Sequence, residues 1–263
     1  WYWFAISLFI TLTIAVLYLL STPPIYTRTA AILVKDNSKS SSSTSAMNDF
    51  SDLGIFKSNT NINNELLTLK SPTLMTEVVN RLGLNETFTI RKGLKNVDLY
   101  KVSPVTITFC DKIEVPLSFT IKFSSKEAFA ISELEISGED IGETLSAQMG
   151  DSIQTSAGIM IVSPTQEFTD AFIGTSIRYV RGSVRAAVDT YSNALVAELG
   201  NEDATIINLS INDTSIRKAE DILNTLIEVY NENWIRDKNQ IAVSTSQFIS
   251  DRLGVIESEL GHV

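Results

Sequence analysis

Three groups of side chains in this sequence have the types and spacing to do chemistry. Glu139, Asp140 and Glu143 form an acidic knot, and clustered carboxylate oxygens are what a hard divalent cation requires. They lack the ligand spacing and central glycine of a calcium loop, so they read as a solvated turn. Arg178, Arg181 and Arg185 cluster where a strand passes into a helix. Guanidinium forks there would suit lipid phosphates or an acidic sugar, although ordinary surface charge is the plainer reading. Tyr230 and Trp234 would place two rings on one helix face, a platform for stacking on a sugar. Both also lie on an apolar stripe that packing must cover, and core burial is favoured.

The absences narrow the chemistry further. One histidine, His262, and one cysteine, Cys110, exclude within one copy a histidine-based catalytic pair, a multi-histidine zinc site, an internal disulfide and a thiolate cluster. No phosphate-binding G-x-x-x-x-G-K-[ST], no G-x-S-x-G elbow and no G-x-G-x-x-G is present. No catalytic, cofactor-binding or metal-ligating set is expected. Lys+Arg 21 against Asp+Glu 31, a formal charge of −10, argues against nucleic acid as a partner.

The elements that would position these residues centre on the last fifth of the chain. From about Asp213 to Gly261, Ile216, Ala219, Leu223, Leu226, Tyr230 and Trp234, then Ile241, Phe248, Ile249, Leu253, Ile256 and Leu260, recur at helical spacing. No proline interrupts them, and Asp213, Thr214 and Ser215 offer capping oxygens. A continuous helix over 213–263 would run roughly 70 Å and needs a cover along its stripe. At the other end, Trp1 to Leu20 carries no charge and has aromatic residues near both ends. That length and pattern predict a retained transmembrane helix rather than a cleaved signal.

Between these two helices the pattern mixes. Pro23 and Pro24 end the first helix, and Thr29 to Lys35 reads as a strand. Residues 36–48 contain SKSSSSTS and read as a flexible loop. Ile62 to Leu69 reads as a short helix. Ser71 then caps a second, with Pro72 at its first position and Gly83 at its end. Thr87 to Val162 reads as short strands, notably 105–109 and 117–123, with later strands around 177–180, 195–199 and 205–211. A helix carrying Val184, Val188, Tyr191 and Leu195 lies between them. The class is α+β, with residues 21–212 as one soluble region between the two terminal helices.

In this order the segments resemble the Wzz-type chain-length determinants, the polysaccharide co-polymerases. The resemblance is carried by P-P-I-Y at Pro23 to Tyr26, with Pro24 between them, and by Ala31 to Lys35. It continues through N-N-E-L-L-T-L-K-S-P at Asn63 to Pro72, with Asn64 and Glu65. GDSIQTSAGIMI, with Gly150 and Gly158, is a further match. The closest stretch is Ile206 to Leu253, with Asp213, Asn224, Tyr230 and Phe248.

The resemblance implies a membrane-proximal periplasmic α+β domain on the bacterial inner membrane, with the long helix opening a helical hairpin. It implies a homo-oligomeric ring working with polysaccharide polymerase and export machinery. The ring would help set the length of O-antigen, capsule or exopolysaccharide, and contact with the growing glycan is compatible with it. The long helix is most similar to that of Wzc-like members fused to a tyrosine autokinase. For those, a second span and a kinase using ATP and Mg²⁺ would follow Val263, while this segment itself is not an enzyme. The alternative is the extracytoplasmic sensor domain of a membrane receptor, which expects a compact ligand pocket and a helix returning directly to a second span.

Overall fold

The uncharged opening stretch folds as helix α1 (Tyr2–Ser21), with none of its residues buried. The hydroxyls of Thr11 and Thr13 donate back to the carbonyls of Leu8 and Phe9, at 3.0 and 2.8 Å, so their polar hydrogens are satisfied within the helix. Strand β1 (Tyr26–Leu33) follows the two prolines. The computed structural model describes residues 1–34, 62–110, 115–200 and 206–260. The serine-rich loop expected at 36–48 lies outside the described residues.

Helices α2 (Ile62–Leu69) and α3 (Pro72–Leu82) come next. The Ser71 hydroxyl accepts the Thr73 N–H at 3.3 Å, Pro72 opens the helix, and Gly83 closes it at φ 63°. That left-handed geometry is one that a side chain resists. Ser71→Ala is expected to cost about 1 kcal/mol. The check is a lower denaturation midpoint with unchanged helix content.

The chain then builds an all-β unit from β2 (Glu86–Lys92), β3 (Lys95–Asp98), β4 (Val105–Phe109), β5 (Leu117–Phe123), β6 (Ala128–Ile136), β7 (Glu139–Asp140), β8 (Leu145–Gln148), β9 (Ser152–Thr155), β10 (Gly158–Pro164) and β11 (Ser176–Arg181). One sheet has the order β3-β2-β11-β5-β6-β7, with β8 also on β6, and the other β4-β10-β9. Alternation along the strands turns one side of each inward, as at β4 and β11. Phe119, Ile121, Phe123, Phe129, Ile131, Ile177 and Tyr179 from the first sheet share one buried cluster with Val105, Ile107, Met160 and Val162 from the second. The unit is therefore a sandwich with its own core.

After the sandwich come helix α4 (Val184–Ala194), strands β12 (Leu195–Leu199) and β13 (Ile206–Asp213), and helix α5 (Ile216–Leu260). Leu195, expected both at the end of the helix and at the start of the strand 195–199, opens β12, because the backbone turns extended there at φ −78°, ψ 119°. Asp213, expected at the front of the long helix, is the last residue of β13. The cap is Ser215, whose hydroxyl accepts the Lys218 N–H at 3.3 Å.

A second sheet-and-helix core lies outside the sandwich. Strand β13 sits between β1 and β12, antiparallel to both. Its neighbours in the core come from helices α2 to α5: Leu69, Val78 and Val79 pack with Val188, Ile207, Leu209, Leu223 and Leu226. The chain thus leaves this base at Gly83 and returns at Ser183. The two crossings lie side by side, since the Gly182 N–H donates to the Asn85 carbonyl at 2.8 Å.

Candidate functional site

Helix α5 has two different halves. Over its first turns Ala219, Ile222, Leu223, Leu226, Val229 and Tyr230 are buried against the base. The Tyr230 hydroxyl donates to Glu65 at 2.6 Å, and burial together with that carboxylate raises its pKa. Farther along, Arg81 on α3 donates to Glu232 at 3.1 Å and also to Glu77. From there through Gly254 no residue is buried. Trp234 is 45% exposed and Phe248 59%, with Ile235, Ile241, Ile249 and Leu253 similarly open.

The register of the base fixes where this helix starts. Tyr26, five residues beyond α1, lies opposite Asp213 in the β1–β13 ladder. Glu220, in the second turn of α5, pairs with Arg28 at 3.0 Å. The root of α5 is therefore beside the end of the apolar helix. Because α5 reverses the direction of β13, it then runs along the sheet and past it.

A buried polar cluster joins the root of α5 to the sandwich. Lys218 is 8% exposed, with its ammonium 2.6 Å from Asp98 at the end of β3 and 3.3 Å from Asp213. Burial opposes the charge, but Tyr191 and the two carboxylates outweigh it and raise the lysine pKa. One turn along, Asp221 pairs with Lys101 at 2.6 Å. Burial again opposes the charge, while Lys101 and Tyr100 hold that carboxyl below its ordinary value. The Asp98 carboxylate also accepts the Tyr100 N–H at 3.0 Å. A cleft of about 340 Å³ opens over this cluster, walled by Leu82 to Leu84, Glu86 to Phe88, Asp98 to Lys101, Ser103, Val105, Thr106, Thr165, Tyr191 and Lys218. Sequence reasoning missed this cluster. The available signal was a lysine at 218, three and four residues before Asp221 and Ile222, on the face that the apolar stripe occupies.

The candidates expected from sequence are mostly dispersed. Arg178 points outward from the sandwich and pairs with Glu135 at 3.2 Å. Arg181, of opposite parity on the same strand, lies 3.7 Å from Glu86 and over the Phe109 ring. Arg185 is on the exposed side of α4. The three arginines therefore do not converge on one anion. Asp140 and Glu143 accept N–H groups of Gly142 and Ser156 in an exposed turn. Among the described residues, no group of His, Cys, Asp or Glu is placed to hold a metal. Core burial holds at Tyr230 and fails at Trp234, where the helix has left the base and Lys238 lies over the ring.

The positions singled out by resemblance divide in the same way. Pro23 and Pro24 separate α1 from β1, and Tyr26 opens β1. Glu65 and Tyr230 meet across the base. The Asn64 carbonyl accepts the Thr68 hydroxyl within α2, whereas Asn224 is exposed on α5. Gly150, at φ 86°, donates its N–H to the Val162 carbonyl, and Gly158 begins β10. Phe248 stands on the uncovered half of α5.

Helix α1 is long and apolar enough to cross a membrane. It leads into β1, and the capped α2–α3 pair follows at residues 62–82. Residues 1–82 match the Wzz family, chain length determinant protein. No curated protein matches the chain. The match supports chain-length determination in polysaccharide biosynthesis, and the matched residues include the apolar helix α1. It ends at Leu82, just before the sandwich, and the stretches at 150–161 and 206–253 lie beyond it. The matched segment nevertheless shares its core with the C-terminal elements of the base. Val34, Leu69, Leu74, Met75, Val78 and Val79 pack in the same cluster as Val188, Leu209 and Leu226.

Proposed function

We propose that this chain is the anchored, periplasmic part of a bacterial inner-membrane polysaccharide co-polymerase subunit, acting as a ring-forming scaffold rather than by catalysis. Copies would stand beside the polymerase and export machinery, and their number and contacts would set how long a growing O-antigen, capsule or exopolysaccharide is retained. The observation that carries this reading is the uncovered half of α5. It extends about 36 Å from Tyr230 to Gly254, and its apolar pairs Trp234-Ile235, Ile241-Ala242 and Phe248-Ile249 recur every seven residues. That period seats one helix against another, and an open apolar seam of this kind marks a protein contact.

The root of α5 lies beside the end of α1, so a membrane-spanning α1 would raise the seam away from the bilayer. In this reading residues 1–263 carry out no covalent step. ATP and Mg²⁺ would act only through a Wzc-like tyrosine kinase elsewhere in the full protein.

Phe248→Asp tests the proposal, because it places a charge on the seam without touching either core. The expected result is an unchanged thermal midpoint, a smaller particle by native mass measurement in lipid nanodiscs, and an altered polysaccharide length distribution in cells. Wild-type assembly size and wild-type polysaccharide length in this variant would refute the scaffold reading.

A further inference from the structure

Resting on the length-determining reading above, we propose that the cleft between the sandwich and the base binds an uncharged sugar residue of a glycan chain. Its volume of about 340 Å³ falls within the range of small-molecule sites, roughly 300–1,000 Å³. The walls come from both cores and from the root of α5, so a ligand there would touch every part of the folded region. Such junctions are where ligand sites commonly form.

The charges around the cleft select against ions. Among the lining residues Lys101 and Lys218 stand against Glu86 and Asp98, and both lysines are already paired, Lys218 with Asp98 and Asp213 and Lys101 with Asp221. A uronate or phosphate would have to break an existing ion pair to gain a cation, which a neutral sugar would not. What remains on offer suits a polyol. The rings of Tyr100 and Tyr191 line the cleft and present apolar faces with polar tips. Each already carries its own lysine on one side, at 5.5 and 5.9 Å. The hydroxyls of Thr87 and Thr106 are without a hydrogen-bond partner among the described residues, and Thr106 lies exposed on the edge strand β4. Burial and the Asp221 carboxylate push the Tyr100 pKa up, so the phenol stays protonated and adds no charge beside the ligand.

The test uses the full chain in detergent micelles and two probes, a neutral hexose tetrasaccharide and a tetrasaccharide of uronic acids, followed by saturation-transfer NMR. The neutral probe is expected to bind in the millimolar range, and the acidic one at least about tenfold more weakly. Thr106→Trp, which fills the cleft from an exposed edge position, should abolish the neutral signal. Asn80→Trp, on the exposed side of α3, should leave it unchanged. Absence of binding by the neutral probe, equal binding of the acidic probe, or a Thr106→Trp signal as strong as that of Asn80→Trp would each overturn the assignment. Polysaccharide length in cells carrying the wild-type chain or none separates this from the scaffold reading. If length depends on the chain while no probe binds, only the cleft assignment falls.

Discussion

Lys218→Met is expected to destabilise the folded chain by about 3–5 kcal/mol, because it removes one partner of a buried ion cluster and leaves the others behind. Asp98 and Asp213 would keep their charges with side chains only 12% and 9% exposed. Methionine fills much of the lysine volume, so the loss reports the orphaned carboxylates rather than a cavity. Adding Asp98→Asn and Asp213→Asn to Lys218→Met should restore at least about half of the loss, since a buried charge without a counter-ion is the main cost. The pH dependence has a definite sign. The lysine pKa is raised on folding, so its contribution is complete below the ordinary value of about 10.4 and fades as pH rises through the folded value. Tyr100 and Tyr191, whose pKa values burial also raises, act in the same direction. Denaturant titrations of wild type and variant should therefore differ by a constant amount near neutrality, and the gap should narrow above about pH 10.4, where the lysine contribution fades. It should narrow in acid as well, where protonation relieves the orphaned carboxylates of the variant; a gap that stays constant in both directions would contradict the assignment.

Leu226→Asp should do more damage than any single change on the outer half of the same helix. Leu226 is 0% exposed within the base core. Truncating such a leucine costs about 2–5 kcal/mol, and placing a carboxylate there adds an unpaired buried charge. Loss exceeding about 5 kcal/mol is expected, enough to unfold a typical domain. The readout is loss of the cooperative denaturation transition and rapid proteolysis in the base. Phe248→Asp, on the same stripe but 59% exposed, should pass that assay unchanged.

That contrast shows how far the sequence alone could reach. Ser71, Pro72 and Gly83 marked a helix correctly at both ends because caps are local chemistry, readable from a few neighbouring side chains. Strands 105–109 and 117–123 were visible for the same reason, through a period-two alternation. Helical periodicity shows which residues share a face, but not what lies against it. Leu226 and Phe248 therefore looked equivalent until the end of the base was known. The separation into two cores was invisible because it depends on Asn85 and Gly182 meeting across nearly a hundred residues of chain, with no change of composition at either crossing. The cluster at Lys218 depends likewise on residues from β3, α4, β13 and α5. Only the lysine's position on an apolar face hinted at it.

The two ion pairs joining β3 and its following turn to α5 run in opposite senses: lysine on the helix with aspartate on the sandwich, then aspartate on the helix with lysine on the sandwich. Slide the helix one turn either way, and either Asp221 comes to face Asp98 or Lys218 comes to face Lys101. Both settings set like charges against each other in a half-dry junction. The long helix is thus keyed like a two-pin plug, so the height at which its free end stands is fixed at the root.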